Sequence, residues 1–187
     1  GGGLPAREGI ELAKNLTSDP DKLDQVGIAA TRLNATIIQQ ILLDIGCDVA
    51  PVIPHDTESA KKLLDGHSFV VMGGTKPGHT TDAVAVMLAR DCSATDCIIA
   101  TNVSHIYDRD PKTNPDAKPF YEMTIKELSG ITGNARLLPG QSAVVDPIAV
   151  SIAAKNGINI AVLDGREIDR IESALDGEEF DGTIVRS

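Results

Sequence analysis

The sequence predicts an α/β fold in which helices cover both faces of a mostly parallel central sheet. Its candidate strands are short and continuously apolar, as in residues 97–101 and 158–163, without the polar alternation of a sheet that has one face in water. Helical segments alternate with these strands along the chain, which is the order that builds a parallel sheet. We therefore expect functional loops to gather where the strands end.

The composition fits a single globular domain and narrows the classes of partner. At 187 residues and 19.7 kDa the chain is long enough for a sizeable core. No apolar run approaches the roughly 20 residues that span a bilayer, and no signal peptide is visible, so we expect a cytoplasmic location without membrane contact. The net charge of −10 disfavours nucleic acid, because a polyanion would be repelled, but a small phosphorylated ligand needs only local positive charge.

The cysteine and histidine spacings do not predict a metal site. Cys47, Cys92 and Cys97 form no CxxC pair, and their odd number does not suit a disulfide framework. We expect all three to be buried, reduced thiols. The four histidines lack metal-ligand spacing with one another, so no metal ligand is predicted among these side chains.

The first part of the chain predicts two helices, a strand and a third helix. Residues 4–15 form the first helix, and Ser18-Asp19-Pro20 is a start signal for a second helix that ends near Gly46. A strand at 49–53 and a helix at 57–64 follow. Steps of three and four residues predict that the second helix buries one apolar side, made of Leu23, Val26, Ala30, Leu33, Ile37 and Ile41.

A glycine-rich loop at residues 73–82 is the strongest local signal. It follows an apolar strand at 69–72 and opens a helix that Thr80 or Thr81 can cap. Glycines allow close backbone approach, and the free amides and positive end of a helix favour an anion. Lys76 adds a donor that suits phosphate. The loop matches neither the Walker nor the dinucleotide pattern, and a glycine turn that binds nothing is the alternative.

The second part of the chain predicts the rest of the sheet. A strand at 97–101 leads into a polar segment at 102–118, which is too long for a simple connection and is therefore a candidate functional loop. A short helix at 123–131, a loop at 139–142 and a helix through Ile148 that ends at Gly157 follow. The last elements are a strand at 158–163, a helix that ends near Leu175 and an edge strand at 182–185.

The chain begins with three glycines and no strand ahead of them. A glycine loop at the start of a helix normally follows a strand. We expect an upstream strand and a first glycine loop to be missing from this sequence, and an engineered tag remnant is the alternative.

Four ordered blocks together resemble the amino-acid-kinase superfamily, most closely the archaeal type of uridylate (UMP) kinase. These blocks are residues 1–7, residues 24–35, the loop 73–82, and Thr101-Asn102-Val103 with Tyr107 and Asp110-Pro111-Lys112. The resemblance implies a sandwich of that family, transfer of phosphate from ATP to UMP with Mg²⁺ in pyrimidine nucleotide synthesis, and a homohexamer built from dimers. It also implies an acceptor lobe at about 1–95 and an ATP lobe at about 96–187 of one domain that is incomplete at its N-terminus.

The resemblance also assigns roles to individual residues. On the UMP side it implies Gly2, Asp24, Thr75, Lys76, Pro77, Gly78, His79, Thr80 and Thr81. On the ATP side it implies Gly3, Arg7, Thr101, Asn102, Tyr107 and Asp110. It implies a catalytic role for Asp146, which orients the groups that handle phosphate. Further positive groups are Arg32, Lys76 and Arg136.

Several of these roles have a structural alternative. Arg7 can be a solvated helix residue, and the three extra positive groups can be surface charges. Asp24 can be a first-turn acid that the helix dipole favours, and Asp146 before Pro147 is also a good N-cap. Tyr107 can be a packed aromatic residue, and Asp110 can belong to a turn.

The chain departs from the family pattern where relatives carry Asp-Gly and it has Ser104-His105. We expect that glycine position to need a backbone conformation that histidine adopts less readily. Two other functions stay open: a kinase of another small phosphate or carboxylate acceptor, and a non-catalytic nucleotide-binding or storage relative.

Overall fold

The computed structural model describes residues 1–111, 113–132 and 145–187. Within these ranges the chain forms seven α-helices and six β-strands. In chain order they are α1 (Gly3–Lys14), α2 (Pro20–Asp44), α3 (Thr57–Leu64), α4 (Thr81–Asp91), β1 (Asp96–Thr101), β2 (Ile106–Tyr107), β3 (Pro119–Phe120), β4 (Glu122–Thr124), α5 (Ile125–Thr132), α6 (Pro147–Asn156), β5 (Asn159–Asp164), α7 (Ile168–Asp176) and β6 (Gly182–Arg186).

The main sheet has the strand order β1-β5-β6-β4. The β1–β5 and β4–β6 ladders are parallel and the β5–β6 ladder is antiparallel, so the α/β class is confirmed with a mixed, mostly parallel sheet. The prediction of an edge strand at 182–185 is wrong. Strand β6 lies inside the sheet, because Thr183 pairs with Val162 on one side and Val185 pairs with Met123 on the other.

Two further predictions of strands are also wrong. Residues 49–53 and 69–72 meet only at one parallel bridge between Val49 and Phe69. Phe69 donates its N–H to the carbonyl of Asp48 at 3.0 Å and accepts from the N–H of Ala50 at 2.8 Å. An apolar run becomes a strand only with a continuous ladder beside it, and no such ladder reaches either segment within the described residues.

The main core lies between the sheet and helices α4, α5 and α6. Val162 and Val185 of the sheet, Leu128 of α5 and Val150 of α6 are all buried in it. Helix α6 begins and ends as the sequence predicts: Asp146 caps its start, and Gly157 ends it in the left-handed conformation with φ of 66°. Helix α5 starts two residues later than predicted, because β4 occupies residues 122–124.

The predicted apolar side of α2 is largely exposed. Leu23 is buried, but Leu33, Ile37 and Ile41 are 54%, 50% and 52% exposed, so their predicted burial is wrong. The helix instead turns small and polar side chains inward, including Thr31 and Gln39. Gln39 donates to the carbonyl of Ala50 at 2.7 Å. Periodicity identifies an apolar stripe, but it does not show which side faces this chain's own core.

Helix α2 alone, among the described helices, is long and apolar enough to cross a membrane by length and composition. Its N-terminal half instead packs on α1. A Cβ added at Gly9 would meet Val26 at 3.0 Å, and one added at Gly27 would meet Ile10 at 3.3 Å. At both glycines, the backbone of one helix therefore packs directly against a side chain of the other helix.

The three cysteines are free thiols, as expected, but only Cys97 is buried. Burial raises the pKa of the Cys97 thiol to about 11. Cys47 and Cys92 are half-buried, so the prediction of burial is wrong for both.

Candidate active site

A cavity of about 620 Å³ collects most of the predicted site residues. Its walls are the first residues of the chain with α1, the N-terminal half of α2, the end of the 73–82 loop, the end of β1, and the start of α6. It brings together Gly2, Gly3, Arg7, Asp24, Gly78, His79, Thr80, Thr81, Thr101, Asn102 and Asp146. After the roles that the resemblance implies for them, we call residues 1–7 the donor segment and residues 73–82 the acceptor loop.

Three predicted residues of the acceptor loop do not line the cavity, namely Thr75, Lys76 and Pro77. Thr75 instead lies with its hydroxyl 3.1 Å from Nδ1 of His79. The carbonyl of Lys76 accepts the N–H of His79 at 3.2 Å. These contacts close the turn that presents His79 to the cavity.

Tyr107 and Asp110 also lie outside the cavity walls. The Tyr107 hydroxyl is 3.0 Å from that of Ser104. The carbonyl of Asp110 accepts the N–H of Asn114 at 2.9 Å, so Asp110 belongs to a turn, which is the structural alternative for it. Lys112 and Arg136, together with the loop at 139–142, lie outside the described residues.

The expectation of an unfavourable backbone at His105 is wrong. Within the described ranges, Ser93 is the one non-glycine residue with positive φ, so His105 has an ordinary backbone. Its ring is buried, stands edge-on to Tyr121 at 4.9 Å between centroids, and places Nε2 3.4 Å from Asp181. Burial lowers the pKa of His105, and the charge of Asp181 opposes that effect.

The first two glycines of the acceptor loop serve contact with α2. A Cβ on Gly73 would lie 2.8 Å from the Thr31 hydroxyl and 3.0 Å from the backbone nitrogen of Arg32. The N–H of Gly74 donates to the Thr31 hydroxyl at 2.7 Å. Close packing on a helix therefore explains why glycine stands at both positions.

Arg32 supports the acceptor loop and does not line the cavity. Its guanidinium donates to the carbonyls of Gly74 at 3.2 Å and Pro54 at 3.3 Å. One guanidinium nitrogen, Nη2, makes both of these bonds to backbone, and the prediction that Arg32 adds positive charge for phosphate stays a prediction. Lys76 does not line the cavity either.

The donor segment is held by a residue that the sequence analysis did not single out. Asn34 donates from its side-chain amide to the carbonyls of Gly1 at 2.7 Å and Gly2 at 3.1 Å. Gly3 follows with φ of +57°, a conformation that suits glycine. Asn34 lies within the second of the four blocks, which was the only signal for it.

The start of α4 presents a helix N-terminus to the cavity. The Thr80 hydroxyl accepts the N–H of Ala83 at 3.2 Å and caps the helix. Thr80, Thr81 and Asp82 all line the cavity. The positive end of the helix dipole therefore lies beside the space in which an anion would bind.

Asp146 lines the cavity and caps α6, so its structural alternative as an N-cap is confirmed, and its catalytic role stays a prediction. Its carboxylate accepts the N–H groups of Ile148 at 2.6 Å and Ala149 at 3.1 Å, and it is 1% exposed. Asp82, in the first turn of α4, lies beside it. Burial and the charge of Asp146 raise the pKa of Asp82, and a backbone hydrogen bond from Asp146 opposes that rise.

The end of β1 is tied to the turn after β5. The N–H of Gly165 donates to the carbonyl of Thr101 at 2.8 Å, and Nε of Arg166 donates to Asp164 at 2.8 Å. The side chain and the backbone N–H of Arg166 both donate to the Asp164 carboxylate, and these bonds lower the pKa of Asp164 to about 2. The turn therefore fixes Thr101 at the cavity edge.

Comparison with known proteins gives consistent matches over the whole chain. The model of the amino acid kinase family matches residues 1–164. The uridylate kinase of Methanocaldococcus jannaschii is 41% identical over 187 residues, covering 99% of this chain and 80% of that protein. The uridylate kinase of Methanococcus vannielii is 39% identical over 185 residues, with the same coverage. The crystal structure of uridylate kinase from Archaeoglobus fulgidus matches with a TM-score of 0.85 and 37% identity, covering 99% of this chain and 81% of that one.

Proposed function

The chain belongs to the amino acid kinase family, and we propose that it transfers the γ-phosphoryl group of ATP to UMP, giving ADP and UDP for pyrimidine nucleotide synthesis. One observation carries the proposal: the donor segment and the acceptor loop line the same cavity. The names and high coverage of the relatives support UMP as the acceptor. The cavity volume of about 620 Å³ lies in the range of ordinary ligand sites.

On the acceptor side, the phosphate of UMP would bind at the start of α4. Thr80 and Thr81 offer backbone and hydroxyl donors there, and the helix dipole favours the negative charge. His79 and Asp24 would flank the nucleoside, with Thr75, Lys76 and Pro77 holding the turn behind them. A phosphate bound there would face the cavity that the donor segment also lines.

On the donor side, Gly3 and Arg7 would contact the phosphates of ATP, with Gly2 at the boundary with UMP. Thr101 and Asn102 at the end of β1 would contact the adenosine. Tyr107 and Asp110 would contact it only where the nucleotide extends beyond the cavity. This division assigns about residues 1–95 to an acceptor lobe and about 96–187 to an ATP lobe.

The chemistry asked of the protein is positioning and neutralisation of charge. In-line phosphoryl transfer needs the attacking oxygen and the phosphorus held close together, and little covalent chemistry falls to side chains. Asp146 caps α6 with its carboxylate, so we assign it the role of fixing that helix start beside Asp82. Asp82 and Asp146 would thereby orient the groups around them in the cavity that contact the transferred phosphate.

Magnesium fits the site as a companion of ATP. Within the described residues no group of three or more His, Cys, Asp or Glu side chains could hold a metal ion. Asp82 and Asp146 do offer carboxylate oxygens at the cavity, which is the ligand type that Mg²⁺ prefers. The phosphate oxygens of ATP would supply its other ligands, and Mg²⁺ would neutralise part of their charge.

We also propose that the protein acts in the cytoplasm as a homohexamer built from dimers. The exposed apolar side chains of α2 support self-association, because Leu33, Ile37 and Ile41 along the helix are each at least half exposed, as is Ile45 at its C-cap. A second copy of α2 would bury the stripe that this chain leaves in water.

Release of ADP in a coupled assay tests the proposal. We expect turnover that depends on both ATP and UMP, with CMP, AMP and carbamate much weaker as acceptors. Turnover with another acceptor in place of UMP would indicate a kinase of different specificity. Calorimetry that shows ATP binding without UMP binding would indicate a non-catalytic nucleotide-binding protein.

A further inference from the structure

Helix α2 holds the donor segment through a single side chain. The Asn34 amide has two N–H groups and uses them on two consecutive carbonyls, those of Gly1 at 2.7 Å and Gly2 at 3.1 Å. In a trans peptide the next N–H points opposite to the carbonyl, so the N–H groups of Gly2 and Gly3 point away from Asn34. Both residues line the cavity.

The same helix holds the acceptor loop one turn earlier. The buried Thr31 hydroxyl accepts the N–H of Gly74 at 2.7 Å and donates to the carbonyl of Ile28 at 2.6 Å. The Gly74 carbonyl is held in turn by Arg32. The Gly74 residue is thus bonded to α2 at both its N–H and its carbonyl.

Thr31 and Asn34 are three residues apart, so they share one side of a rigid helix and differ by only about 4.5 Å along its axis. The two cavity walls that would carry ATP and UMP are therefore attached to neighbouring points on one element. We propose that Asn34 is a positioning residue, which sets the distance between the two nucleotides by anchoring the donor segment to the turn of α2 that anchors the acceptor loop. This inference rests on the proposed function.

The expected effect is on catalysis more than on binding of either nucleotide. A misplacement of about 1 Å between reacting groups costs about hundredfold in rate. We expect Asn34→Ala to lower kcat by about tenfold to hundredfold, with the KM for UMP unchanged. Asn34→Asp keeps the size of the side chain but cannot donate to the carbonyls, and we expect the same loss.

A bisubstrate probe measures the distance itself. Adenosine and uridine joined by five phosphates should bind wild-type protein more tightly than either nucleotide alone. Asn34→Ala should weaken this probe by more than the product of its effects on ATP and on UMP. The control is Gln40→Ala, which removes an exposed amide from the same helix. The Gln40 amide nitrogen donates to Oε1 of Gln39 at 3.5 Å, and its loss should change neither kcat nor probe affinity.

Two results would overturn the role of Asn34. One is kinetics and probe binding of Asn34→Ala equal to those of Gln40→Ala. The other is a loss of probe affinity in Asn34→Ala that equals the product of its losses for ATP and UMP, together with a lower melting temperature. That result would indicate general destabilisation of the protein. If wild-type protein neither binds UMP nor turns it over, the proposed function fails instead, and the inference falls with it.

Discussion

The carboxylate of Asp24 on α2 accepts a hydrogen bond of 2.7 Å from the backbone N–H of Gly78 in the acceptor loop. Gly78 has φ of +86°, so the turn that aims this N–H at Asp24 depends on glycine. With the bonds from Thr31 and Arg32 to Gly74, the acceptor loop is attached to α2 at Gly74 and again at Gly78. The alternative that Asp24 is a first-turn acid of the helix is wrong, because Asp21 holds that place in α2. Asp24 instead bonds to the acceptor loop at Gly78.

The first prediction concerns this bond. A hydrogen bond to a charged group contributes about 1.5–3 kcal/mol, which corresponds to a factor of about 10–150 in binding. We expect Asp24→Ala to raise the KM for UMP by about tenfold or more and to leave the KM for ATP unchanged, as steady-state kinetics can measure. Asp44→Ala, an exposed acid on the same helix, is the control. An unaltered KM for UMP in Asp24→Ala would contradict the assignment.

The second prediction tests the packing of the acceptor loop on α2. Gly73→Ala places a Cβ 2.8 Å from the Thr31 hydroxyl, and its other neighbours include backbone that cannot rotate away. We expect a loss of about 1–3 kcal/mol in the free energy of unfolding by urea denaturation. Gly66→Ala, which has open space around the added Cβ, should be nearly neutral. Equal stabilities of the two variants would show that Gly73 has another reason to be glycine.

The helices were predictable because their end signals are local. Asp146 before Pro147 and the left-handed Gly157 bound α6 where the sequence predicts. Strands depend on neighbours far along the chain. The apolar run 69–72 has no ladder within the described residues, whereas β6 acquires partners on both sides and so is not an edge.

The candidate site divides in the same way. The glycine signals at residues 1–3 and 73–74 were visible, but the partners that hold them, Asn34 and Thr31, are ordinary polar residues of a helix. Their function depends on a fold that brings positions about 30 and 40 residues away against them. Asp82 was missed because an acid in a first helical turn has a sufficient local explanation.

The third prediction follows from the raised pKa of Asp82. Burial, with the charge of Asp146, disfavours the ionised form in the folded state. The free energy of unfolding should therefore fall as pH rises through the raised pKa of Asp82 in the folded protein. It should increase again as pH falls toward 3.8, the ordinary pKa of an aspartate. Asp82→Asn cannot ionise, so it should melt higher than wild type at neutral pH, by about 2–4 °C per kcal/mol relieved, with the difference shrinking in acid.

Asp44→Asn removes an exposed charge from α2 and should show no such pH-dependent difference. Thermal melts of the three proteins across pH make the comparison. If Asp82→Asn were less stable than wild type at neutral pH, ionised Asp82 would be a stabilising group, against the prediction.

The fourth prediction concerns the apolar stripe of α2. Ile37 and Ile41 are 50% and 52% exposed, and a second copy of the helix would cover them. Sedimentation velocity should show wild-type protein well above the mass of one 19.7 kDa chain. The double variant Ile37→Asp with Ile41→Asp should shift it to smaller species, because each new charge would be buried unpaired.

Leu175→Asp is the matched control for that experiment, since Leu175 is 71% exposed and belongs to a different helix, α7. It should leave the sedimentation unchanged. A wild-type protein that sediments as a single chain would contradict self-association through α2.

The fate of the γ-phosphate tests the central claim most directly. ATP carrying a radioactive γ-phosphate is incubated with UMP and Mg²⁺, and the nucleotides are separated by chromatography. The account predicts that the label appears in UDP in the same amount as ADP is formed, and that omission of UMP abolishes both. Label released as inorganic phosphate, or ADP formed without labelled UDP, would contradict it.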